Sequence, residues 1–295
     1  MNIDSRVSGK TKLVGLIGNP VEHTVSPLLH NTISSKLGID MIYVPMKVEK
    51  DGLMDAVSGL KALNFTGFNV TVPYKNEVMK FIDDISKDAL LMGAVNTVKI
   101  MNGRLYGYNT DGEGFSRSFK EESGTTLKDK KVVMLGAGGA ARAIAVKLAL
   151  EGAKKITVIN RTVSKAEEIC QLVNNNLHPV AEHYGWDDVE ADVSLEESDV
   201  IINTTSSGMF PDVNGYPYPK PINFSARQIV YDVIYNPSKT RFLEEAERCG
   251  CTVINGLGML FYQGIYAYEI WTEVKLGEEL LKDIFSQFRC ITEST

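Results

Sequence analysis

Cysteine is scarce in this 295-residue chain, with four in all (Cys170, Cys249, Cys251 and Cys290) and no C-x-x-C spacing. That pattern argues against a metal or redox motif, and Cys249-x-Cys251 reads as two ordinary thiols at a helix-to-strand turn. No charged-then-apolar leader opens the sequence and no apolar run approaches the length of a membrane span, so neither secretion nor membrane insertion is expected. Positive charge is in deficit: 31 Lys and Arg stand against 37 Asp and Glu, a formal net charge of −6. This balance disfavours nucleic acid and anionic membranes as partners, while a locally basic cleft still suits a small anionic molecule. Histidine is also rare. His23 and His30 read as hydrogen-bonded structural residues, His178 and His183 fall in a polar connecting region, and no metal site is expected. Internal repeats and low-complexity linkers are missing too. Together these absences describe a reduced, cytoplasmic globular protein.

What is present is an alternation of strands and helices, in a chain long enough for two domains. Leu13 to Ile17, Met41 to Val48 and Gly67 to Val72 read as strands. Pro27 to Leu37, Leu53 to Leu63 and the short Asn76 to Ile82 read as helices. The runs 96–101 and 104–108 flank Asn102-Gly103, a strong signal for a type I′ hairpin, so the first sheet is expected to be mixed. A second series of short apolar strands follows at 131–135, 155–159, 199–203, 229–232 and 252–254. Continuous apolar runs of this kind belong to a parallel sheet covered on both faces. Leu257 to Lys275 and Gly277 to Phe288 read as two closing helices. The join near Thr110 to Gly114 is where a cleft between two domains would form.

The most informative stretch is Lys131 to Arg142, in which an apolar strand stops at a glycine cluster and an alanine-rich helix follows. This strand–turn–helix order is the context of a dinucleotide-binding, Rossmann-type fingerprint. Gly136 permits the turn, Gly138 lets backbone N–H groups approach a diphosphate, and Ala141 stands where a third glycine often keeps helix and strand close. The helix N-terminus adds unpaired N–H groups and partial positive charge. NAD-preferring folds usually end the second strand in an acid that binds the ribose 2′-hydroxyl. Here that strand ends in Asn160-Arg161-Thr162, with Lys165 one helical turn on. A guanidinium with neighbouring donors suits a dianionic 2′-phosphate, so NADP is the expected cofactor and NAD the weaker alternative.

A nicotinamide cofactor implies hydride transfer, for which the protein must supply a proton donor and acceptor. In the first domain, Asn69-Val70-Thr71-Val72-Pro73-Tyr74-Lys75 ends a strand in a lysine, and Asn109-Thr110-Asp111-Gly112 follows the hairpin with a carboxylate. A lysine ammonium can protonate a nascent alkoxide, with an adjacent aspartate fixing lysine and substrate hydroxyl. By residue type alone, the simpler reading is that Lys75 opens a solvated helix and Asp111 caps a turn. Ser26 is placed to cap the first helix, with Pro27 at its first position. Thr24 and Ser26 also set two hydroxyls beside a helix N-terminus, an arrangement suited to a substrate carboxylate.

From about residue 13 to about residue 270 the chain resembles the shikimate dehydrogenase family. The motifs are GNPxxHxxSP at Gly18, NVTVPYK at Asn69, Gly93-Ala94-Val95-Asn96-Thr97, NTDG at Asn109, GAGGAA at Gly136, NRT at Asn160, Thr205-Ser206-Ser207-Gly208-Met209 and Asn255-Gly256-Leu257-Gly258-Met259. The resemblance implies NADP-dependent interconversion of 3-dehydroshikimate and shikimate in aromatic amino acid biosynthesis, with Lys75 and Asp111 as the catalytic pair. It further implies that Asn69, Thr71, Asn96 and Gln263 hold ring hydroxyls and that Thr24, Ser26 and Tyr235 meet the carboxylate. The cofactor set it implies is Gly136, Ala137, Gly138, Gly139, Ala140, Asn160, Arg161, Thr162 and Lys165, with Thr204, Thr205, Val233, Gly256 and Met259 towards the nicotinamide. The implied architecture is α/β with two domains: a mixed-sheet substrate domain at 1–110, a Rossmann-type domain at 111–256, and helices at 257–295 returning to the substrate domain. A homodimer is compatible with it. Two competing readings are a quinate/shikimate dehydrogenase of broader substrate and cofactor use, and a catalytically silent NADP-binding regulator.

Overall fold

Two separate sheets organise the chain in the computed structural model, which describes residues 7–293. The chain divides into two compact units. One runs up to Thr110 and resumes at Gly264; the other is Asp111–Gln263.

In the first unit the sheet order is β2 (Met41–Lys47), β1 (Lys12–Gly18), β3 (Gly67–Val70), β5 (Thr97–Met101), β6 (Arg104–Tyr108), β4 (Asp84–Ile85). Strands β1, β2 and β3 run parallel, whereas β5 lies antiparallel to both β3 and β6. The sheet is therefore mixed, as the hairpin signal predicts. Asn102 and Gly103 both take positive φ, 52° and 70°, the backbone that a type I′ turn demands. Helices α1 (Ser26–Leu37), α2 (Leu53–Ala62) and α3 (Lys87–Met92) belong to this unit, as does a short 3-10 turn, Glu77–Phe81, where the sequence predicts a helix. Phe68, Val70 and Val98 from the strands, and Val95 just before β5, share a core cluster with Val57 and Leu60 from α2 and the buried Tyr74.

The chain returns to this unit through the last nine residues of α9 (Leu257–Thr272) and through α10 (Glu278–Glu293). Trp271 is buried among them, and Lys36 of α1 pairs with Asp283 of α10 at 2.7 Å.

The second unit holds a fully parallel sheet in the order β12 (Thr252–Ile254), β11 (Ile229–Asp232), β10 (Val200–Asn203), β7 (Lys131–Leu135), β8 (Lys155–Ile159), β9 (Ala181–Tyr184). This is the doubly wound dinucleotide-binding order, in which the direction of winding reverses between β7 and β10. Alternate residues feed two cores: Val132 and Met134 face one cluster, Val133 and Leu135 the other. Helix α5 (Gly139–Leu150) is buried on nearly every side, and its alanines let it lie close to the strands. Helices α4 (Asp111–Ser123), α6 (Val163–Asn176), α7 (Val189–Glu197) and α8 (Arg241–Arg248) complete the layers. Among the described residues no helix is long and apolar enough to cross a membrane.

Three sequence expectations are corrected. His183 lies within β9 rather than in a connecting region; Glu182 and His183 are only half-buried, so this edge strand lacks an apolar run. Ser26 does not cap α1. Its helix N-cap is Val25, no side chain fills the capping role, and Pro27 alone marks the start. His30 is held by stacking, not hydrogen bonding: neither ring nitrogen has a partner among the described residues, and the ring lies 4.3 Å from that of Tyr43 at 18°. Burial lowers its pKa to about 3, so the imidazole stays neutral.

Candidate active site

In the first unit the candidate substrate residues sit where parallel strands end, the position at which open α/β sheets receive ligands. β1 closes at Gly18, where a Cβ would stand 2.3 Å from the Thr71 methyl, so only glycine lets these two segments meet. Thr71 follows β3 and its N–H donates to the Ile17 carbonyl at 3.0 Å. The buried Tyr74 then anchors the turn, its hydroxyl donating to the Val48 carbonyl at 2.7 Å. The half-buried Lys75 comes next, its carbonyl taking the Val95 N–H at 2.8 Å. A lysine so fixed by its backbone presents its amine from a rigid base.

Polar side chains around these strand ends form two adjoining hydrogen-bonded groups. Thr24 donates to the Ser26 hydroxyl at 3.2 Å, and the Ser26 hydroxyl lies beside that of Tyr43. Tyr43 donates to Oδ1 of Asn69 at 2.9 Å. The Asn69 amide nitrogen donates to the Asn96 carbonyl and to Oγ1 of Thr97, each at 3.0 Å. Oδ1 of Asn96 accepts from the Thr97 hydroxyl and from the Thr110 N–H, each at 2.9 Å. Five of these residues (Tyr43, Asn69, Asn96, Thr97 and Thr110) are less than a tenth exposed. Buried polar groups that are mutually satisfied hold one geometry firmly. Thr24, Ser26, Asn69 and Asn96 are thus brought together, and Thr110 leads directly into Asp111. Sequence reasoning missed Tyr43, Thr97 and Thr110, the members that connect the others.

In the second unit Asp111 is the buried first residue of α4, rather than the cap of a turn. Tyr235 and Gln263 are half-buried here, Gln263 donating to the Leu260 carbonyl at 2.8 Å. Burial raises the pKa of the Tyr235 phenol, which stays protonated at neutral pH.

The glycine turn lies at the reversal of the sheet. Gly136 has φ +107°, and a Cβ there would stand 2.7 Å from Thr205 and 2.8 Å from Thr204, so these three expected cofactor residues converge. Thr204 is held by a hydroxyl donation to the Leu135 carbonyl at 2.8 Å. Gly138 and Gly139 are exposed, and a Cβ on either would meet nothing within 4 Å. Their backbone is therefore open to a diphosphate at the N-terminus of the 12-residue α5. At the end of β8, Arg161, Thr162 and Lys165 are exposed, and among the described residues neither cation makes an ion pair. The Arg161 guanidinium lies 5.9 Å from the ring centre of Trp186. These groups fit a phosphorylated dinucleotide: open backbone donors for the diphosphate and uncommitted cations for a further phosphate.

On the other side of the sheet's reversal, Val233 and Gly256 are in contact, since a Cβ on Gly256 would stand 2.0 Å from the Val233 carbonyl oxygen. Met259, nearly buried, follows in α9. The Thr205 loop hangs from a buried acid that sequence reasoning did not flag. Asn203 Oδ1 takes both the N–H and the hydroxyl of Thr205, at 2.9 and 2.7 Å, while its amide donates to Asp232 at 3.0 Å. Asp232 also accepts from Thr240 at 2.6 Å and from the Ile234 N–H at 3.0 Å. Burial pushes its carboxyl up to about 6, and the three donors restrain that rise.

Comparison with known proteins covers both units. Residues 16–98 match the shikimate dehydrogenase substrate-binding domain, residues 118–210 the shikimate/quinate 5-dehydrogenase family, and residues 256–281 the shikimate 5′-dehydrogenase C-terminal domain. Shikimate dehydrogenase (NADP(+)) of Methanococcus aeolicus is 46% identical, over 94% of this chain and 98% of its own. Among solved structures, shikimate 5-dehydrogenase of Listeria monocytogenes in complex with shikimate and NAD superposes with a TM-score of 0.90 at 40% identity, covering 96% of this chain and 99% of that one. A shikimate dehydrogenase in complex with NADP+ gives 0.87 at 43% identity, with 95% and 96% covered.

Proposed function

We infer that this chain, which belongs to the shikimate dehydrogenase family, is an oxidoreductase that reversibly reduces 3-dehydroshikimate to shikimate with NADP. The observation that carries this reading is the likeness, over both units, to enzymes named for that reaction and that cofactor. Gly136 to Ala140 with Ala137 would hold the diphosphate, and Asn160, Arg161, Thr162 and Lys165 the 2′-phosphate. Thr204, Thr205, Val233, Gly256 and Met259 would line the nicotinamide side. When bound, the reduced cofactor supplies the hydride.

The remaining work falls to side chains. Thr24, Ser26 and Tyr235 would donate to the substrate carboxylate, and Asn69, Thr71, Asn96 and Gln263 would fix the ring hydroxyls. Lys75 would give its proton to the alkoxide as the carbonyl is reduced and would take it back in the oxidation direction, with Asp111 orienting amine and hydroxyl. The protein's place would be the cytoplasm, in keeping with its free cysteines. Its partner would be a small molecule rather than nucleic acid, and its assembly a homodimer.

The test is direct. The purified chain mixed with shikimate and NADP+ should generate NADPH absorbance, with markedly lower initial rates for quinate or for NAD+. Equal rates for quinate would move the assignment to the broader quinate/shikimate activity, and no turnover of either would move it to a silent NADP-binding protein.

A further inference from the structure

The Asn69 amide has little freedom in how it can meet a ligand. Both of its N–H groups are spent inside the protein, on the Asn96 carbonyl and on Thr97 Oγ1. Its oxygen takes one hydrogen bond, from Tyr43. A carboxamide offers two donors and two lone pairs, so what remains for a ligand is a single acceptor position on Oδ1. Reversing the amide would set its oxygen against the Asn96 carbonyl, acceptor against acceptor.

Tyr43 reaches this amide from β2, two strands away, with β1 lying between β2 and β3. Its phenol spans that gap, and the residue is 2% exposed. Its backbone is clamped on both sides by Asn31, which accepts from the Tyr43 N–H at 2.8 Å and donates to its carbonyl at 3.2 Å. Its ring is stacked on His30. We propose that Tyr43 is a positioning residue for substrate, holding the Asn69 amide oxygen as the acceptor for a ring hydroxyl. The proposal rests on the shikimate reading above, since it assigns Asn69 to a polyhydroxylated ring.

Tyr43→Phe removes only the hydroxyl and keeps the stack on His30. The expected result is a shikimate KM raised about five- to tenfold, the size of one lost hydrogen bond, with the KM for NADP+ unchanged. Shikimate binding measured by calorimetry without cofactor should weaken by the same factor. A cyclohexene carboxylate lacking ring hydroxyls, tested as a competitive inhibitor, should change by less than twofold. Asn31→Ala, which releases the Tyr43 backbone, should raise the shikimate KM in the same direction, and it serves if Tyr43→Phe does not fold. A folded Tyr43→Phe with wild-type shikimate affinity, lowered only in thermal stability, would overturn the proposal while leaving the shikimate activity standing. A wild-type chain that neither binds nor oxidises shikimate would overturn both.

Discussion

The indole nitrogen of Trp271 donates to the Val98 carbonyl at 2.9 Å, and the same indole covers Gly67 on the neighbouring strand. A Cβ at residue 67 would stand 2.4 Å from two indole atoms and 2.4 Å from the Val98 oxygen. This contact ties α9 to the mixed sheet of the first unit. Gly67→Ala should therefore destabilise the protein by about 1–3 kcal/mol through overpacking. Trp271→Phe should cost about 0.5–1.5 kcal/mol by removing this hydrogen bond. Denaturant midpoints equal to wild type for both variants would show that the contact contributes nothing.

Lys75→Ala should lower turnover about 10²–10⁴-fold, the usual range for a lost general acid/base. The affinity for NADPH, followed by its fluorescence, should stay at the wild-type value because the side chain belongs to the first unit and the cofactor residues to the second. Near-normal turnover would remove the lysine from the mechanism.

Arg161→Ala should weaken NADPH by about 10–100-fold, the equivalent of one or two charge-assisted hydrogen bonds. NADH, which lacks the 2′-phosphate, should lose far less. Titration of both nucleotides against both proteins decides it: equal losses would mean that this guanidinium does not read the phosphate.

Asp232 makes stability depend on pH in a defined window. Its carboxyl titrates near 6 when folded and near 3.8 when unfolded. The protonated form is the one the buried site favours, so its stabilising contribution is whole below about pH 4, declines up to about pH 6, and is absent above. A shift of this size corresponds to roughly 3 kcal/mol at most. The unfolding free energy of wild type relative to Asp232→Asn should thus fall between pH 4 and 6 and level off beyond. Parallel curves for the two proteins would place the ionisation elsewhere.

Much of this architecture was legible because burial on both faces writes a simple code. The runs at 131–135 and 155–159 are apolar at nearly every position, and each is a central strand of the parallel sheet. Helix α4 escaped notice, because Gly112 and Gly114 weaken its local helix signal. Gly114 is required by packing, since a Cβ there would come within 2.8 Å of Gln263 and the Met259 carbonyl, a contact no local pattern reports. β9 was missed because an edge strand with Glu182 and His183 half in water looks like a loop.

The site was legible in part for the same reason. Lys75, Asp111 and Arg161 stand out because charged groups at strand ends ask for an explanation. Tyr43 and Asp232 do not: a tyrosine inside a strand reads as core, and the Asp232 carboxylate takes its meaning from Asn203 and Thr240, partners 29 and 8 residues away.

The close approach at Gly256 carries a consequence for how this chain can vary. With the Val233 oxygen where the first carbon of any side chain would have to go, position 256 has one admissible occupant. A library of all single substitutions, scored for function, should show that codon frozen, although the residue donates no functional group to any reaction. Intolerance at this site would report backbone proximity, and a survey that equated immutability with chemistry would misread it.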